Sequence, residues 1–140
     1  MAHLTPIKVH GFHLDLYGHV NNARYLEFLE EARWGLMEES GDLPWFMANK
    51  YALVVSRIDI RYLRAATMGD ELLIDTRLAA LLPREGQINQ RIFRKDNGKL
   101  VAEADVTFAV IHPAQRGAQA IEGEILARFA PMLAVTQDVA

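Results

Sequence analysis

Apolar residues recur along this chain in two rhythms, and the change between them divides it. Between Tyr25 and Leu36, the positions Tyr25, Phe28, Leu29, Ala32 and Leu36 fall within one stripe of roughly 100° at about 100° per residue. Glu27, Glu31 and Glu38 gather on the opposite side. The pattern predicts one long amphipathic helix over about 22–40, the only long helix the sequence offers. Asn21 or Asn22 suits its N-cap, and Gly41 suits the left-handed position beyond its end. Trp34 lies off the stripe, toward the acidic side, and suggests a second contact surface. From Tyr51 the rhythm becomes alternation. Tyr51–Arg64 sets Ile58, Ile60 and Tyr62 on one face and Arg57, Asp59 and Arg61 on the other. Glu71–Leu82, Gln87–Lys95 and Leu100–His112 alternate in the same way, separated by Pro83–Gly86 and by Asp96-Asn97-Gly98, a strong hairpin signal. Thr5–Phe12 reads as a first strand, Trp45–Ala48 as a compact apolar knot, and Ile121–Leu133 as a terminal helix ended by Pro131.

Tight turns between consecutive strands force antiparallel pairing. Such a sheet has one apolar face, and the long helix is available to cover it. The expected fold is α+β: a curved antiparallel sheet of five to six strands wrapped around one central helix, the hotdog architecture. The opposite face carries Arg57, Asp59, Arg61, Asp75 and Arg77, so it should be wet or meet another subunit.

Composition narrows the function classes. A chain of 140 residues that is 51% apolar and 24% charged reads as one globular domain over 1–140, with no linker or repeat. The net charge of −3 and the scattered Lys and Arg give no nucleic-acid footprint. The absence of cysteine excludes disulfides, thiolate metal sites and cysteine nucleophiles, and is compatible with a reducing cytosol. The N-terminal residues lack the pattern of a signal peptide, and no apolar run approaches the ~20 residues of a membrane span. A cytoplasmic location is expected. His10, His13 and His19 share no metal-ligand spacing, so no metal is expected.

The candidate chemistry lies just ahead of the long helix, where Asp15, Tyr17, His19, Asn21 and Asn22 crowd around Gly18. Asp15-Leu-Tyr-Gly-His19-Val-Asn-Asn22-Ala-Arg-Tyr25, followed by Phe28-Leu-Glu-Glu-Ala-Arg, resembles the signature of the 4-hydroxybenzoyl-CoA thioesterase group of hotdog proteins. It is most similar to the bacterial long-chain acyl-CoA thioesterase (thioesterase III) branch, through Val54–Tyr62 and Val101–Phe108 as well. The resemblance implies hydrolysis of medium- or long-chain acyl-CoA without a cofactor, coenzyme A being part of the substrate. It also implies a homodimer or homotetramer with the active site at the subunit interface.

Thioester chemistry needs little machinery. The carbonyl is electrophilic, and the leaving thiolate, with a reference pKa of about 8.5, departs without a strong acid. One carboxylate and a preorganised oxyanion site suffice. Asp15 is the candidate nucleophile or general base, and the N–H groups around Gly18, Val20 and Asn22, at the positive end of the helix dipole, are candidate oxyanion donors. His19 is expected to orient the turn or Asp15. Tyr17, Tyr25, Trp45 and Phe46 are candidate contacts to the substrate, although Tyr25 in the helical stripe and the Trp45–Phe46 pair read first as core. Arg64, near a strand end, and Arg61 are candidates for coenzyme A phosphates. A non-catalytic acyl-CoA or acyl-carrier binding module and an aromatic acyl-CoA thioesterase are the alternatives.

Overall fold

The computed structural model describes residues 3–136. Five strands, β1 (His3–Lys8), β2 (Ala52–Tyr62), β3 (Glu71–Leu81), β4 (Gly86–Arg94) and β5 (Leu100–Ile111), form one sheet in the order β1-β3-β4-β5-β2. Every neighbouring pair is antiparallel. Three helices accompany it: α1 (Asn22–Ser40), α2 (Leu43–Ala48) and α3 (Gly123–Thr136). No helix among the described residues is long and apolar enough to cross a membrane.

The buried residues of α1 are Tyr25, Phe28, Leu29, Ala32 and Leu36, the predicted stripe. Burying each large apolar side chain contributes about 1.5–3 kcal/mol. Asn21 is the N-cap, its side-chain oxygen accepting the Ala23 N–H at 2.9 Å. A polar staple that periodicity does not reveal fixes the helix over the sheet. The fully buried Gln90 amide donates to the Leu29 carbonyl (2.9 Å) and to Thr76 Oγ1 (3.1 Å), while Arg33 donates to Gln90 Oε1 at 3.1 Å.

Three expectations need correction. Gly41 is not left-handed: its φ is −91°. Glycine is favoured there by space, because a Cβ would stand 2.9 Å from the Met37 carbonyl oxygen. Pro131 does not end α3, which runs on to Thr136. The proline forfeits one helical hydrogen bond, but Ile125, Phe129 and Met132 on one face are all buried and hold the helix down. The sheet's apolar face is therefore covered by α1 and α3 together: Phe129 packs against Phe108 of β5 and Phe46 of α2. The first strand also ends earlier than expected, at Lys8, and Gly11–His13 forms a single 3-10 turn instead.

The polar face of the sheet is braced by charge. Asp75 is buried and meets Arg77 at 3.1 Å and Arg91 at 3.6 Å, and Arg61 meets Glu103 at 2.6 Å.

Candidate active site

Between the 3-10 turn and α1 the chain doubles back in a miniature hairpin closed by a Leu14–Val20 bridge. The Asp15 N–H donates to the His19 carbonyl at 2.7 Å, and the Gly18 N–H to the Asp15 carbonyl at 3.1 Å. Gly18 has a φ of +77°, where a side chain would be strained. Asp15 Oδ1 accepts two backbone N–H groups, from Tyr17 (2.8 Å) and His19 (3.2 Å). Its other oxygen, Oδ2, receives no hydrogen bond from the described residues, so the carboxylate is held by one oxygen and presents the other.

The backbone donors of this segment can be followed one by one. Gly18 and His19 donate to Asp15, Val20 to the Ala66 carbonyl (2.8 Å) and Asn21 to the His13 carbonyl (2.9 Å). Ala23 is taken by the N-cap. The Asn22 N–H has no acceptor among the described residues, and it opens the positive end of a 19-residue helix. Of the three expected oxyanion donors, Gly18 is thus committed within the turn and Val20 to the Ala66 carbonyl.

A polar cleft of about 350 Å³ brings together Asp15, His19, Val20, Asn22, Tyr25 and Arg64. Its far wall, Tyr62, Leu63 and Ala65, is the end of β2 and the segment after it, which the sequence reading did not connect with Asp15. Long-range bonds hold that wall: the Leu63 and Arg64 N–H groups donate to the Val101 carbonyl, and the Tyr62 hydroxyl donates to the Asn22 carbonyl at 3.1 Å. The Arg64 guanidinium donates to the Leu100 carbonyl at 2.6 Å. The Tyr25 hydroxyl accepts the Ala66 N–H at 3.2 Å, and burial pushes its phenol above the ordinary value of 10.0.

A second, apolar cavity of about 380 Å³ lies farther along α1, lined by Leu36, Met37, Phe46, Met47, Phe108 and Phe129 among others, with Arg33 and Trp34 at its edge. Phe46 is therefore in a cavity wall, whereas its neighbour Trp45 is not. Trp45 stacks on Tyr51 at 5.5 Å and lies under the Arg128 guanidinium at 5.0 Å. Arg61 is directed to Glu103 and lines neither cavity. Tyr17 stands out from the turn, 79% exposed, next to Leu16 at 91%. No group of three or more His, Asp or Glu suited to a metal occurs among the described residues.

The sequence matches the Thioesterase-like superfamily over residues 10–137. The chain belongs to that superfamily. Among curated thioesterases it is 45% identical to the long-chain acyl-CoA thioesterase FadM of Escherichia coli (strain K12), over 92% of this chain and 98% of that one. It is 28% identical to the acyl-CoA thioester hydrolase YbgC of Escherichia coli O157:H7, over 89% and 92% of the two chains. The fold superposes on the crystal structure of the probable thioesterase YbaW from Escherichia coli with a TM-score of 0.88 at 45% identity, covering 93% of this chain and 98% of that one. The hotdog architecture and the thioester-hydrolase class expected from the sequence therefore stand.

Proposed function

We propose that this thioesterase hydrolyses medium- to long-chain acyl-CoA to a free fatty acid and coenzyme A. The observation that carries the reading is the pairing, in one cleft, of a carboxylate with one oxygen open and a helix N-terminal N–H without an acceptor. The thioester carbon sits between them. Asp15 Oδ2 attacks it directly, or takes a proton from the water that does, and the carbonyl oxygen takes up negative charge against the Asn22 N–H. Collapse breaks the C–S bond and expels the thiolate. In the direct route, water then hydrolyses the resulting anhydride, and its oxygen ends on Asp15 when it attacks the Asp15 carbonyl carbon or in the fatty acid when it attacks the acyl carbon; in the water route it always ends in the fatty acid. His19, whose backbone clasps Asp15, orients the carboxylate.

The apolar cavity supports an acyl chain of some length, since its mainly apolar lining runs from Leu36 and Met37 of α1 past Met47 of α2 to Phe129 and Met132 of α3. The name of the FadM relative points the same way. Arg64 at the cleft rim supports contact with the phosphates of coenzyme A. The exposed Phe12, Leu16 and Tyr17 on and beside the Asp15 turn support a homodimer, or a homotetramer built from two, with the cleft at the subunit interface. A cytoplasmic location accords with the cysteine-free composition.

The test is thiol release from palmitoyl-CoA and from a benzoyl-type CoA ester by wild type and Asp15→Asn. Wild type should turn over palmitoyl-CoA, and the variant should lose at least ~100-fold in kcat. Preference for the benzoyl ester would favour the aromatic alternative, and binding without thiol release the non-catalytic one.

A further inference from the structure

We propose that the Tyr25 hydroxyl is a second hydrogen-bond donor to the carbonyl oxygen of the substrate, acting together with the Asn22 N–H. The inference rests on the reading of the cleft as the site of thioester hydrolysis and adds to it a side chain that the helical pattern assigns to the core.

Three observations support it. First, Tyr25 is only 4% exposed yet lines the polar cleft, so its hydroxyl is a buried polar group in the wall of a site. Second, that hydroxyl is half satisfied. It accepts the Ala66 N–H at 3.2 Å, and the phenolic proton has no acceptor among the described residues. A hydroxyl carries one donor and two acceptor positions, and a buried donor left unmade costs about 1–3 kcal/mol. An oxygen entering the cleft would relieve that cost. Third, Asn22 and Tyr25 are three residues apart on one helix and so share a face, and helical side chains lean back toward the N-terminus. That lean directs the Tyr25 ring toward the first turn of the helix, and both residues line the same cleft.

The ring is well fixed. It packs edge-on against Phe28 at 6.1 Å and Tyr62 at 5.4 Å. The Ala66 that holds the hydroxyl is itself tied to the Asp15 turn through the Val20 N–H. Two such preorganised donors form an oxyanion hole of the usual kind. No proton is transferred: it stays on Tyr25 while the carbonyl oxygen gains charge and loses it again. The charged and titratable groups around the phenol are Arg94 of β4, Asp70 and Arg64 of the β2–β3 connection, Tyr62 of β2, and Asp15 and His19 across the cleft. Because burial raises the phenol's pKa, Tyr25 stays protonated through neutral and mildly alkaline pH, as a donor must.

The test compares wild type, Tyr25→Phe and protein carrying 3,5-difluorotyrosine at position 25 only, in palmitoyl-CoA hydrolysis. Tyr25→Phe keeps the ring packing and should lose about 100-fold in kcat with KM little changed. The fluorinated phenol keeps both hydrogen bonds but ionises at lower pH. Its kcat should fall along an alkaline limb that wild type does not show in the same range. A hydroxyl that merely accepted the Ala66 N–H would behave oppositely, since a phenolate accepts better. The inference is overturned if Tyr25→Phe keeps kcat within about twofold, or if the fluorinated protein has the wild-type pH profile. Those results with an inactive Asp15→Asn would leave the thioesterase reading standing, whereas a wild type without turnover would remove both.

Discussion

Asp15 and His19 clasp each other through the His19 backbone: the Asp15 N–H donates to the His19 carbonyl at 2.7 Å, and the His19 N–H donates back to Asp15 Oδ1 at 3.2 Å. Neither bond uses the imidazole. The carboxylate is therefore positioned by the turn itself, and the two side chains should separate cleanly under mutation. His19→Ala should keep the wild-type melting temperature and lose less than the ~100-fold in kcat that removing the general base or nucleophile causes. Asp15→Asn, which retains an oxygen able to accept the Tyr17 and His19 N–H groups, should melt near wild type while inactive. Thermal melts run beside thiol-release kinetics check both. A His19→Ala protein as inactive as Asp15→Asn would make the imidazole a participant.

The apolar cavity predicts a chain-length effect. Met47 of α2 lines it and is largely exposed, so enlarging this side chain should not strain the core. Met47→Trp should obstruct the cavity from the solvent side. Displacing as few as two methylenes, at about 0.8 kcal/mol each, lowers kcat/KM by about tenfold. Palmitoyl-CoA should suffer this loss and hexanoyl-CoA should not. Equal effects on both esters would place the acyl chain elsewhere.

His13 predicts an acid limb of stability. Its imidazole packs edge-on against Phe28 at 4.9 Å and accepts the His10 N–H at 2.9 Å. Burial first, then the nearby Arg24 and His10, lower its pKa below the ordinary 6.5. In the unfolded chain His13 takes up a proton as pH falls through about 6.5; in the folded protein it resists until lower pH. The unfolded state thus binds more protons in that window, and stability rises with pH across it. The melting temperature should decline as pH is lowered from 7 toward 5, and His13→Gln should flatten that decline. An unchanged slope in the variant would assign it to other groups.

The elements legible in the sequence were those with local causes. The stripe of α1 and its Asn21 cap depend on neighbours within a turn or two, and the Asp96-Asn97-Gly98 hairpin closes as expected, with Gly98 at a φ of +69°. Pro131 misled because its local cost is visible in sequence, whereas the burial of Phe129 and Met132 that offsets it is not. The site divides in the same way. The motif placed Asp15, His19 and Asn22 together, since all three belong to one turn. It could not tell that the Val20 N–H goes to Ala66 and so leaves Asn22 as the open donor, nor that Tyr62, Leu63 and Ala65 close the cleft. Those facts depend on β2 pairing with β5, and Arg61 is drawn off to Glu103 by the same pairing.

The two outer strands of the sheet are not alike. β1 is short and contains Pro6, opposite Leu73; proline is tolerated at such an edge because its missing donor faces the unpaired side. β2 is an 11-residue strand without proline, and most of its residues are exposed. Growth by strand addition is thus blunted at one end and open at the other. Two copies meeting through β2 would expose only proline-bearing edges, so the assembly would close as a pair and stop short of a fibre.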